Sequence, residues 1–181
     1  MLAYSTAIVA YRTTLCDILA INSNSMAYMK LDTIDRKILK ALQSDGRLTN
    51  AELAERINLS PSACLRRVKQ LEESGIIDGY VMLVNPTAIG RPTTIFVEIT
   101  LESQSVQCQE AFEAAVRKNP EIMECYLMTG EADYLLRVAA GGTTDYERLH
   151  KHHLSALPGV ARIKTAIGIR TVCKSTAYPV D

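Results

Sequence analysis

The stretch LSPSACLRRVKQLEESG, residues 59–75, reads as one short helix with both ends marked. Ser60 suits the N-cap, where a hydroxyl accepts from the first free N–H groups, and Pro61 suits the first helical position, where no donor is needed. At about 100° per residue, Cys64, Leu65, Val68 and Leu71 fall on one apolar stripe. Ser62, Arg66, Lys69 and Gln70 fall opposite it, with Arg67 on the flank. Gly75 follows where a left-handed residue closes a helix. This helix therefore packs on one side and carries a cationic ridge on the other. A helix with a merely solvated face shows the same pattern, so its surroundings decide.

Upstream, Asp32 can cap a helix with Ile34, Ile38, Ala41 and Leu42 on one face, ended by Ser44-Asp45-Gly46. Thr49 with Glu52 three residues on makes a capping box for a second helix, with Leu53 and Ile57 facing inward. Two short helices, a four-residue break at INLS and a cationic third helix form a helix-turn-helix arrangement. Downstream, IIDGYVMLVNP alternates around Asp78-Gly79 and predicts a small hairpin or wing. Pro86, Gly90 and Pro92 then punctuate a linker.

The second half changes period. Ile95, Val97, Ile99 and Leu101 alternate with Phe96, Glu98 and Thr100, the pattern of a half-buried strand. Cys108, Phe112, Ala115 and Val116 recur at helical spacing. IMECYLM and DYLLRVA flank TGEA as two strands around a turn. Tyr146, Leu149, His153 and Leu157 mark a second helix, and VARIKTAIGIRTV reads as a last long strand. The order β-α-β-β-α-β is the ferredoxin-like split unit. Helices cover one face of such a sheet; the other keeps apolar groups, and dimerisation is the expected remedy.

Composition narrows the function. The 181 residues suffice for two small domains, and 20 basic against 20 acidic side chains leave no net charge to steer the chain to polyanions or membranes. Nucleic-acid binding would rest on a local cluster such as Arg66, Arg67 and Lys69. The five cysteines (Cys16, Cys64, Cys108, Cys125, Cys173) are widely spaced and include no C-x-x-C, which points to reduced thiols in a cytoplasm. Residues 1–28 are apolar, but no cationic segment precedes the apolar run, and Arg12 and Asp17 interrupt it. They are expected to form a disordered extension, neither signal peptide nor membrane span. The expected organisation is 1–28 extension, 29–84 helix-turn-helix domain, 85–92 linker and 93–181 α/β domain.

The residues LDTIDRKILKALQSDGRLTNAELAERINLSPSACLRRVKQLEESGII, Gly79-Tyr80, FVEITL at 96–101, ECYLMTGEADYLL at 124–136 and LPGV at 157–160 together resemble the leucine-responsive and asparagine regulator (Lrp/AsnC, "feast/famine") family of transcription factors. The resemblance runs from about Leu31 to the C-terminus. It implies an α+β protein, an N-terminal winged helix-turn-helix joined to a C-terminal ferredoxin-like βαββαβ domain. It also implies a sequence-specific regulator of amino-acid metabolism whose partners are double-stranded DNA, a small amino-acid effector and further copies of itself, as a homodimer assembling to an octamer. A cytoplasmic, nucleoid-associated location follows from the same likeness, with no membrane partner and no cofactor beyond the effector.

A recognition helix places its N-terminal residues at base edges and its flanks at phosphates. Ser62, Ala63 and Arg66 are thus the groove candidates, Arg66 for a bidentate contact to guanine. Arg67 and Lys69 are assigned to phosphates, with Thr49, Asn50 and Ser60 at the helix starts. The family often has Pro or Thr where Ala63 stands, a departure that bears on base preference. Cys64 lies on the packed face as core filler. For the effector, backbone groups of Thr129, Gly130 and Glu131 would bind a carboxylate, and Asp133 would take the ammonium. Tyr134 follows in the motif. The likeness adds Thr143 and Ala166, Ile167 and Gly168 to the pocket, which in the family forms between dimers.

The chemistry that is missing also matters. His150, His152 and His153 do not share one helix face, and no Cys or acidic ligand completes a set, so no metal site is expected. No nucleophile–base arrangement and no phosphate loop is legible, and no catalytic residue is assigned. The alternative reading is an enzyme, since some tetrapyrrole (siroheme) decarboxylases share the two-domain fold. The cationic third helix and the TGEADY loop weigh toward the regulator.

Overall fold

A computed structural model describes residues 30–180. The expected disordered extension, 1–28, lies outside these residues. The chain divides into two compact units. One runs to Tyr80 and includes the chain from Thr176 onward; the other is Val81–Ser175.

Among the described residues, the first unit holds three helices: α1 (Thr33–Ser44), α2 (Asn50–Ile57) and α3 (Pro61–Glu73). Each begins at a residue whose side chain accepts from the first turn. Asp32 and Thr49 form full capping boxes with Asp35 and Glu52, and Ser60 accepts from Ala63 N–H. Their inward faces meet in a core of Ile38, Leu39, Ala41, Leu53, Ala54, Ile57, Cys64 and Leu71. Cys64 is fully buried there, and burial pushes its thiol pKa up.

Gly75 adopts φ 71°, the left-handed conformation expected of it, and α3 stops. The N–H groups of Ile76 and Ile77 then both donate to Leu71 O at 3.0 Å. These two residues are thereby spent on closing α3 and covering the helical core. The hairpin predicted around Asp78-Gly79 consequently does not form: residues 78–85 carry no strand, and Val81, Met82, Leu83 and Val84 run exposed. At the other end of the chain, Tyr178 returns to α1. Its N–H donates to Gln43 Oε1 at 2.6 Å and its carbonyl accepts from Gln43 Nε2 at 3.1 Å, while Val180 packs on the helical core.

The second unit is β1 (Thr93–Leu101), α4 (Val106–Lys118), β2 (Ile122–Leu127), β3 (Tyr134–Ala140), α5 (Thr143–Leu149) and β4 (Val160–Ile167). The sheet is antiparallel with strand order β2-β3-β1-β4, the split βαββαβ arrangement. Ile95, Val97, Ile99 and Leu101 of β1 and Tyr134, Leu136, Val138 and Ala140 of β3 point to one face, where they pack with Phe112, Val116, Leu149, Leu154 and Leu157. Side chains alternate across a strand, so Phe96, Leu135, Arg137, Ala139 and Ala166 lie on the other face, which is helix-free among the described residues.

Two expectations for this unit need correction. The last strand ends at Ile167, not near Val172, because β1, its neighbour, begins at Thr93 and has no backbone left to pair. The second helix does not carry His153 on its core face. Beyond Leu149 it widens into a π-turn, His150–Leu154, with Ser155 N–H donating to His150 O at 3.0 Å. The extra residue rotates the helix so that Leu154, not His153, follows Leu149 into the core.

Candidate nucleic-acid interface and effector site

The outer face of α3 follows from its burial pattern. Cys64 and Leu71 are buried and Val68 half-buried, which turns Ser62, Arg66, Lys69, Gln70 and Glu73 outward. Together with Leu65 they line one shallow open depression on the helix surface. Neither Arg66 nor Lys69 has an ion-pair partner among the described residues, so both charges are available to an external anion. Leu65 departs from its predicted place in the packed stripe. It stands 100° round from Cys64, on the flank, and is 46% exposed.

Arg67 is placed differently from its expected role at a phosphate. Its guanidinium lies 2.7 Å from Asp32 and 2.8 Å from Asp35, tying the third helix to the start of the first. Those hydrogen bonds hold its proton more tightly than usual. Asp32 is held below the ordinary aspartate value, first by the Asp35 N–H that it accepts and then by Arg67. Two carboxylates thus neutralise the one cation, which takes Arg67 out of the positive ridge.

The helix starts are also occupied from within. Thr49 hydroxyl donates to Glu52 Oε2 at 2.7 Å and accepts from Glu52 N–H. Asn50 Nδ2 donates to Pro61 O at 2.8 Å, bracing the start of α2 on the start of α3, and its Oδ1 is buried without a partner among the described residues. Ser60 caps α3 and shares a 3.3 Å contact with Ser62 Oγ. Ala63 is half-buried. What remains for a nucleic acid is a hydroxyl at Ser62, two free cations and the exposed flanks.

The candidate effector residues do not form one cluster in a single chain. Thr129, Gly130 and Glu131 are exposed in the β2–β3 turn. Ala166, Ile167 and Gly168 end β4, where Gly168 N–H donates to Thr94 O, and Thr143 starts α5 just beyond the end of β3. In register, Tyr134 lies beside Ile99, whereas Ile167 lies beside Ile95. Four residues along β1 is about 13 Å, and two strands across adds about 10 Å. The turn and the end of β4 therefore sit at opposite ends of the sheet, too far apart for one amino acid to touch both.

Asp133 is the clearest correction. Its carboxylate was expected to take the ligand ammonium, but it is buried and already engaged: Oδ2 accepts from Leu101 N–H at 2.7 Å and Oδ1 from Gln104 Nε2 at 2.9 Å. Its main chain bonds too, to Ile99 O and from Met128 N–H. It pins the β2–β3 turn to the end of β1. Tyr134 is likewise a core residue, 1% exposed, with its ring 4.6 Å from Phe112 and its hydroxyl donating to Glu113. Burial and Glu113 both raise its pKa.

One constellation near the end of β3 was not anticipated. Arg91 and Arg148 both bind Glu121, at 3.2 and 2.8 Å, and Arg148 also meets Asp145 at 2.9 Å. Burial alone would raise the Glu121 pKa, but the two arginines outweigh it and the net shift is downward. Asp145 accepts from Gly141 N–H and Arg91 donates to Ala139 O, so the network fixes the Gly141-Gly142 turn before Thr143. Arg91 is 30 residues from Glu121 and Arg148 is 27, so apart from the Asp145–Arg148 pair no local pattern marks the network.

Comparison with known proteins gives matches in both units. Residues 31–78 match a winged helix-turn-helix DNA-binding family model, and residues 94–178 match the Lrp/AsnC ligand binding domain. The leucine-responsive regulatory protein of Salmonella typhimurium is 44% identical over 145 residues, 80% of this chain and 88% of that protein. An HTH-type transcriptional regulator of Sinorhizobium fredii, y4sM, is 53% identical over 116 residues, 64% of this chain and 91% of that protein. Among solved structures, the transcriptional regulator NMB0573 of Neisseria meningitidis in complex with L-Met superposes with TM-score 0.79 at 38% identity, covering 82% of this chain and 96% of that one. Escherichia coli AsnC superposes with TM-score 0.74 at 25% identity, covering 81% and 97%.

Proposed function

The chain belongs to the Lrp/AsnC family of transcriptional regulators, and from its geometry we propose that it reads duplex DNA through Ser62, Arg66 and Lys69 while two or more chains together build its amino-acid site. It is a transcriptional regulator with a DNA-binding helix-turn-helix and an amino-acid ligand-binding domain. The family models and the named relatives favour this over the tetrapyrrole decarboxylase alternative, since those relatives are regulators rather than enzymes.

The observation that carries the DNA proposal is the division of labour among three neighbouring cations. Arg67 is neutralised by Asp32 and Asp35, whereas Arg66 and Lys69 face outward with no ion pair among the described residues. Arg66 serves a base edge and Lys69 a phosphate. The helix-start residues Thr49, Asn50 and Ser60 act by aiming backbone N–H groups, their side chains being committed to caps and braces. A dimer contacting about 6 phosphates gives a slope of log affinity against log salt near −5. Arg66→Ala should cost about 1–3 kcal/mol and relax preference at one base position, read by binding titrations over a panel of duplexes. A loss equal on every duplex would make Arg66 a phosphate contact instead.

The effector proposal rests on the separation of its parts. Thr129, Gly130 and Glu131 at one end of the sheet, and Thr143, Ala166, Ile167 and Gly168 at the other, surround a ligand only if one set comes from another chain. The helix-free face with Phe96, Tyr126 and Leu135, and the exposed run Val81–Val84, supply apolar surface for such assembly to a homodimer and onward to an octamer. Leucine and methionine are the first effectors to test, because the relatives at 44% and 38% identity are leucine-responsive or solved with L-Met. A chain altered at Thr129 and a chain altered at Ala166 should each lose calorimetric binding of these amino acids. Refolded together, they should recover part of it. No recovery would place the whole site within one chain.

A further inference from the structure

We propose that Leu65 is a base-reading residue, its exposed isobutyl group meeting the 5-methyl group of a thymine in the major groove beside the base pair taken by Arg66. This rests on α3 being the helix that enters the groove.

Leu65 is the one large apolar side chain of α3 that the protein leaves outside. Cys64 and Leu71 are fully buried and Val68 is half-buried, so the helical core is closed without it. It lies instead in the same surface depression as Ser62, Arg66, Lys69, Gln70 and Glu73. At spacings of i−3 and i+4 it falls in one row with Ser62 and Lys69. That row presents a hydroxyl, an apolar group and an ammonium in succession.

The chemistry of the groove selects the occupant. The nitrogen and oxygen groups on the major-groove edge are hydrogen-bond donors or acceptors, and a leucine placed against one would desolvate it without replacement. The thymine C5-methyl is the one methyl group that a standard base pair presents there, larger than the ring C–H groups beside it. Leu65 and Arg66 diverge by about 100° around the helix, so the two side chains address neighbouring positions rather than one base. The expected preference is therefore a thymine adjoining a guanine in each half-site.

The test begins with selection of preferred duplexes from a random pool by the full chain. Each thymine of the selected site is then replaced singly by deoxyuridine, which removes the 5-methyl group alone. At one thymine per half-site, uracil should weaken the wild-type protein roughly fourfold, the worth of burying one methyl group. Leu65→Ala should bind the thymine and uracil duplexes alike, with an unchanged melting temperature because the side chain supports no core. If the wild type selects a site but uracil weakens both proteins equally, or neither, Leu65 does not read thymine and this inference falls by itself. If the wild type selects no preferred duplex, the assignment of α3 as a base-reading helix falls, and the role of Leu65 with it.

Discussion

Asp133 and Arg67 show how little residue type says about role until partners are known. A carboxylate beside a glycine-containing turn has the chemistry to hold an ammonium, yet here both its oxygens accept from the protein's own N–H groups. Asp133→Ala would strand the buried Leu101 N–H, and a bond to a charged acceptor of this kind contributes about 1.5–3 kcal/mol. We expect a loss of about 2 kcal/mol in urea unfolding of the full chain, with Asp133→Asn recovering part of it. Arg67 gives the converse case. Arg67→Met should lower stability by about 1 kcal/mol, the partial exposure of the cluster keeping the figure small. It should leave the salt slope of DNA binding unchanged. A slope reduced by one would show Arg67 released from its aspartates onto a phosphate.

At the scale of elements, α1 and α2 are held at their starts by ionised groups, and this sets their response to acid. Asp32 is lowered from 3.8 and Glu52 from 4.5, in each case first by a backbone N–H that the carboxylate accepts. Glu124 is lowered by Arg137 and Asp145 by Gly141 N–H. A carboxylate whose folded pKa lies below its unfolded one stabilises the fold fully above the unfolded value. That stabilisation is lost as pH falls through the folded one. Melting temperature should therefore be flat from about pH 5 to about pH 8 and fall progressively below 4.5 for the glutamates and 3.8 for the aspartates. Glu52→Gln, which keeps an acceptor but cannot ionise, should melt lower at neutral pH and show a shallower acid decline. Parallel profiles for the two proteins would mean that the α2 capping box contributes no acid sensitivity.

At the scale of the whole molecule, the assembly proposed above needs an apolar surface to join one chain to the next. Among the described residues, helices cover the sheet on one face only, that of α4 and α5, and Phe96 stands 40% exposed near the middle of the other. Phe96→Glu should leave the monomer folded, since the core lies on the opposite face, but place like charges across a paired interface. Sedimentation should show dissociation toward monomer, and the salt slope of DNA binding should fall to about half its wild-type value as one of two half-sites is lost. An unchanged assembly would move the interface elsewhere, with the exposed Val81–Val84 run the next surface to alter.

The sequence alone determined the parts that depend on near neighbours. Caps at Asp32, Thr49 and Ser60, the glycine stop at Gly75 and the change of period after Pro92 are all local, and they sufficed for the helix-turn-helix, the succession of strands and helices in the second half and the cationic outer face of α3. Only the tertiary structure decided which of those cations are free. Arg67 meets carboxylates 32 and 35 residues away, and Asp133 meets Leu101 and Gln104 about 30 residues away. It alone sent Leu65 outward, turned Ile76 and Ile77 from a predicted hairpin into a helix stop, and set the two groups of candidate effector residues at opposite ends of the sheet. The physical reason is one of range. Periodicity and capping act over about one turn or one pleat, whereas the role of a charged or polar group is set by whatever the folded chain brings within 3 Å or so of it.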